Sequence, residues 1–97
     1  MKILALEHEL PEGTADKFSV HAKDEARRIW ALHQAGTIRE MYFRADRTEA
    51  VLILECASVI EAQEVLSTLP LVQNRLITFD VIPLKAYSGF VRLFEKN

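Results

Sequence analysis

The chain has 97 residues, 49% of them hydrophobic and 27% charged, with a formal net charge of -2. That length fits one domain spanning residues 1–97, the apolar content argues against disorder, and the near-balanced charge is not the basic footprint of a nucleic-acid binder. The single cysteine, Cys56, excludes an internal disulfide framework and a cysteine-based zinc site, and no uncharged apolar stretch nears the roughly 20 residues that span a bilayer.

The N-terminal run MKILALEHEL is broken by Glu7 and His8, and no small-residue cleavage site follows it. It reads as neither signal peptide nor membrane anchor, so a cytoplasmic setting without membrane partners is expected. Residues 2–10 predict a strand, ended by Pro11, Glu12 and Gly13. Thr14 is suited to cap a long helix, Asp16 complements its first turn, and Gly36 is placed to stop it after about Ala35. Residues 37–45 (TIREMYFRA) predict a second strand, with Arg39, Met41 and Phe43 on one side and Ile38, Glu40, Tyr42 and Arg44 on the other. After a polar turn at 46–49, residues 50–56 (AVLILEC) form a nearly continuous apolar run, the pattern of a central strand covered on both faces. Ser58 and Glu61 make a capping box for a second helix to about Thr68, and Pro70 keeps that helix from continuing. Residues 76–84 predict a fourth strand whose far end, with Pro83, lies at an edge or bulge. The tail 86–97 carries Tyr87, Phe90, Leu93 and Phe94, too many large apolar groups for a free tail, and is expected to pack on the domain or on a partner.

The order β-α-β-β-α-β with right-handed crossovers gives a ferredoxin-like α+β fold. Its four-stranded antiparallel sheet takes the order 4-1-3-2 and carries both helices on one face. The third strand is apolar on both sides, yet the helices suffice for only one face. A second copy stacked on the open face, making a homodimer or a higher homo-oligomer, is the simplest cover; the tail alone is the other.

Leu66-Ser67-Thr68-Leu69-Pro70-Leu71, followed by Asp80-Val81-Ile82-Pro83-Leu84, resembles the muconolactone isomerase family of the dimeric α+β barrel group. Leu10-Pro11 after the first strand and the long helix ending at Gly36 fit the same pattern, so the resemblance covers roughly residues 2–88. It implies proton transfer within a carbon framework, without a cofactor, on a carboxylate-bearing lactone or a related catabolite of aromatic degradation. The chain differs from that family in carrying Glu40 and Tyr42 where the family has a histidine and a tryptophan, and in running on through Phe90-Val91-Arg92-Leu93-Phe94.

The first helix gives the most pointed chemical signal. At about 100° per residue, Phe18, Ala22, Ile29 and Leu32 share one face, with Glu25 near its middle and His21 at its edge, one turn before. A carboxyl group facing an apolar interior is costly unless paired, and its raised pKa suits general acid/base work. Glu25 is therefore either a proton carrier, with His21 orienting it or sharing the proton, or a structural partner of Arg28, Arg44 or another strand cation. Arg39 and Arg44 are candidates to hold a small-molecule carboxylate, and Tyr42 to steady a developing oxyanion; a solvated ion pair and an interface aromatic are the plainer roles. Histidines 8, 21 and 33 lack ligand spacing, so a protein-bound metal is not expected, and Cys56 reads as a buried small hydrophobe. A non-catalytic binding or scaffolding module is the alternative to an isomerase, and an open cavity beside Glu25, with an arginine converging on it, would favour the enzyme.

Overall fold

The computed structural model describes residues 1–96. Four strands, β1 (Lys2–Glu9), β2 (Ile38–Phe43), β3 (Ala50–Glu55) and β4 (Ile77–Pro83), form one antiparallel sheet in the order β2-β3-β1-β4. Helices α1 (Ala15–Gln34), α2 (Val59–Leu66) and the single turn α3 (Pro70–Gln73) connect them, and a 3-10 segment, Gly89–Phe94, follows. This is the ferredoxin-like arrangement and strand order that the sequence predicts. Pro83 closes β4, an edge strand, where its missing N–H costs no ladder bond. The short α3 is an addition: Pro70 occupies its first turn, where a fixed φ and an absent donor are tolerated.

Each cap follows from local chemistry. Thr14 Oγ1 accepts from Lys17 N, and Ser58 Oγ accepts from Glu61 N. At the end of α1, Gly36 sits at φ 81°. Its N–H donates to His33 O and that of Thr37 to Leu32 O, the paired bonds of a Schellman stop.

The two faces of the sheet differ. Ile3, Ala5, Leu52 and Leu54 point to the helices and close a core with Leu32, Ala62, Leu66 and Leu69. Leu4, Leu6, Val51 and Ile53 point the other way and stay half-exposed, with Ile82 39% exposed beside them. One expectation is corrected. A register shift between Ile38 and Glu40 puts Ile38 opposite Leu54 and Met41 opposite Leu52, so Ile38 shares the helix-facing side with Met41 and does not join Glu40 and Tyr42. A bulge adds one residue and shifts simple alternation by one place. The bulged Arg39 turns its Nε to Gly36 O at 2.5 Å.

Past Leu84 the chain leaves the body. Tyr87, Phe90, Leu93 and Phe94 are all exposed, and the Tyr87 and Phe90 rings meet edge-to-face at 5.1 Å. The expected tail of 86–97 therefore does not pack on its own domain over the described residues; Asn97 lies outside them.

Candidate functional site

Between the first half of α1, the C-terminal end of β1 and the start of α3 lies an open cleft of about 550 Å³. Ala15, Phe18, Ala22, Ala26 and Leu71 make its apolar wall. Gly13 lets that wall close: a Cβ there would come within 2.8 Å of the Phe18 ring. Glu7, Glu9 and Glu25 supply its charge, and Ser19 and Thr48 its hydroxyls.

Glu25 reaches the cleft because α1 turns its apolar stripe to the sheet and leaves this one carboxyl within it. It is half-buried, and Oε1 accepts from Leu71 N at 3.0 Å, one of the free amides of α3's first turn. Burial pushes its carboxyl up from the ordinary value, while the Leu71 amide and His21 pull it down. Neither Arg28 nor Arg44 pairs with it: Arg28 donates to Thr68 Oγ1 at 2.8 Å, and Arg44 binds Asp46 through two bonds of 2.8 and 2.6 Å.

Glu7 is the residue that the pattern of the first helix does not reveal. It ends the helix-facing row Ile3, Ala5, Glu7 of β1 and is only 8% exposed. Its Oε1 accepts from Ala50 N at 3.2 Å. Burial raises its carboxyl most; the Ala50 amide opposes, and the charges of Glu49, Glu25 and Glu9 raise it further. The period-two row of β1 carries this signal, since its third member is an acid where the first two are apolar. Glu49 lies close behind, also buried, its Oε2 accepting from Glu9 N at 3.1 Å. Its Oε1 has no hydrogen bond and instead faces Arg47 at 3.5 Å and Arg44 at 4.0 Å.

A family model described as muconolactone delta-isomerase matches residues 3–89. The chain belongs to that family. No curated protein sequence matches it at a significant level. In this muconolactone delta-isomerase family member, the residues expected to form one site divide between two places. Glu25 and His21 lie together on α1. Tyr42 is on the opposite face of the sheet, opposite Val51 in register, and its hydroxyl donates to Glu40 at 2.8 Å. That bond to a carboxylate holds the phenol above its ordinary value. Arg39 is engaged at the Gly36 turn, and Arg44 at the turn before β3. No arginine, lysine or histidine lines the cleft among the described residues. No group of three or more histidines, cysteines or acids converges in a metal-binding arrangement among them either.

A second depression of about 570 Å³ runs along the outer edge of β4, between Leu66, Val72 and Val81. Its one ionisable group, Asp80, is exposed and bonded to His8 at 2.8 Å. Buried, unneutralised acids beside open volume occur only in the α1 cleft among the described residues.

Proposed function

We propose that this protein is an isomerase that moves a proton within a small unsaturated lactone, without a cofactor, and that Glu25 carries the proton. Membership of the muconolactone delta-isomerase family supplies the reaction class. The observation that carries the assignment of Glu25 is its place in the cleft: one oxygen fixed by the Leu71 amide, on an open volume rather than a filled core. A base anchored through one oxygen keeps the other free for work at a fixed position.

In the proposed step the free Glu25 oxygen takes a proton from a saturated ring carbon next to the double bond. The carbon–hydrogen pair moves into the conjugated system and places negative charge on the carbonyl oxygen. The same carboxyl returns the proton to the far carbon of that system, so the double bond has moved and no atom is gained or lost. Glu7, held towards its protonated form by burial and by the neighbouring carboxylates, donates to the carbonyl oxygen as charge develops there. His21, one turn before Glu25, holds the charge of its carboxylate between turnovers. We further propose that the protein works in the cytoplasm as a dimer or larger assembly of this chain. Tyr42 then belongs to the interface, and Arg39 and Arg44 to the turns that frame β2.

Glu25→Gln tests the assignment, because an amide oxygen still accepts from Leu71 N but cannot take up a proton. The expected result is a loss of roughly 10²–10⁴-fold in turnover with the melting temperature nearly unchanged. The assay follows the change in position of the ring double bond by NMR. Full turnover by the variant removes Glu25 from the mechanism.

A further inference from the structure

Two side chains of α1, one turn apart, grip the same short segment. Glu25 Oε1 accepts from Leu71 N at 3.0 Å, and Arg28 Nε donates to Thr68 Oγ1 at 2.8 Å. Resting on Glu25 as the proton carrier, we infer that Arg28 and Thr68 are positioning residues: they clamp the start of α3 against α1 and so aim the Leu71 amide that fixes the working carboxyl. Chemistry settles the direction of each bond. A guanidinium only donates, so the Thr68 hydroxyl accepts from Arg28 and sends its own proton to Val65 O, 2.6 Å away. The chain of bonds thus runs from α1 through Thr68 to the last turn of α2. Thr68 stands three residues before Leu71, with the fully buried Leu69 between them. A single turn such as α3 cannot hold its own place, because one turn lies within the costly nucleus of a helix. Its position comes from Leu69 in the core and from these two contacts with α1.

Neither Arg28 nor Thr68 lines the cleft. The charged groups that face Glu25 are His21 on its own helix and Glu7 and Glu9 of β1, while α3 brings no ionisable side chain. Burial raises the Glu25 carboxyl; the Leu71 amide, and after it His21, pull the other way. Loosening the clamp therefore moves the Glu25 titration upward and takes the base out of alignment, without altering the walls of the cleft.

Thr68→Val tests this, since it keeps the shape and removes the hydroxyl. Carbon-13 NMR of the full chain, labelled at the glutamate carboxyls and with the Glu25 signal assigned through Glu25→Gln, is expected to show the Glu25 midpoint raised. Turnover of muconolactone is expected to fall roughly ten- to a hundredfold in kcat with KM little changed. Thr68→Ser returns the hydroxyl and is expected to recover most of the loss. Arg28→Met, which keeps an apolar stem, should reproduce both effects and add little on top of Thr68→Val, because the two residues act as one unit. A Glu25 midpoint that stays in place in both Thr68→Val and Arg28→Met overturns the inference, even where turnover falls, since the loss is then one of packing alone. The catalytic reading fails separately: a midpoint that moves while Glu25→Gln turns over fully leaves the clamp standing and removes only the role of Glu25.

Discussion

Glu7 and Glu25 are expensive residues. Each carboxyl is more than half withdrawn from water and is compensated by a single backbone amide, Ala50 N for one and Leu71 N for the other. Both are pushed above the ordinary value of 4.5, by burial first of all. A group whose pKa is raised on folding binds its proton more tightly in the folded state. Its favourable contribution is complete below the unfolded value and is lost as the pH rises through the folded one. The chain is thus expected to lose stability from about pH 4.5 upward as these two acids ionise, and Glu7→Gln should flatten that part of the curve. Thermal unfolding followed from pH 4 to 8 should show the variant roughly 2–6 °C more stable than the parent at pH 7–8, with the two nearly level at pH 4. An unchanged slope would mean that Glu7 ionises as an exposed acid does. The sequence makes Glu25 visible because helical periodicity puts it inside an apolar stripe. Glu7 is less visible: Glu7, His8 and Glu9 stand together, and which of three consecutive polar residues turns inward depends on where β1 ends. Glu49 is hidden altogether, because nothing in a polar turn signals that one of its acids will be buried.

At the level of elements, local chemistry decided most of the fold. The Thr14 cap, the Gly36 stop, the Ser58–Glu61 box and Pro83 at an edge are each short-range effects, and each stands where the residue types require. Two features escaped. The bulge at Arg39 depends on how β2 meets β3, and α3 depends on Glu25 satisfying its first turn; both are interactions between segments far apart in the chain. Gly36 shows the cost of a short-range requirement. At φ 81° any side chain would be strained, although the space beside its Cα is open, with the nearest atom, Arg39 Nε, 3.9 Å from an added Cβ. Gly36→Ala is therefore expected to destabilise the protein by about 1 kcal/mol through backbone conformation alone. Urea unfolding should show a lower midpoint with an unchanged slope, and a stability equal to the parent would mean that the turn relaxes out of the left-handed region.

The whole molecule leaves two apolar surfaces without cover. The longest dimension is 60 Å against 29 and 20 Å, and the radius of gyration is 16.2 Å. A compact domain of this length has a radius of about 12.5 Å, and the arm beyond Leu84 accounts for the excess. That arm carries Tyr87, Phe90, Leu93 and Phe94, the last 83% exposed. The open face of the sheet presents Leu4, Leu6, Val51, Ile53 and Ile82 in a patch centred on β1 and β3, with the polar pairs His8–Asp80 and Tyr42–Glu40 near its margins. An apolar centre with a polar rim is the composition of an interface core. Because one chain presents only one such face, a two-fold axis through the patch covers both copies at once. We therefore expect the purified protein to sediment as a dimer or larger species at micromolar concentration. Ile53 is the position at which to break it, since it lies on a central strand, faces away from the helices and pairs in register with Leu4. Ile53→Lys would place an ammonium group in the middle of the stacked sheets, where its desolvation is uncompensated, while in a free monomer the same side chain reaches water. Sedimentation velocity should then show the variant shifted to monomer with its far-UV circular dichroism preserved. A parent protein that is already monomeric at about 50 μM, a concentration at which even a micromolar dimer would persist, would rule out this interface.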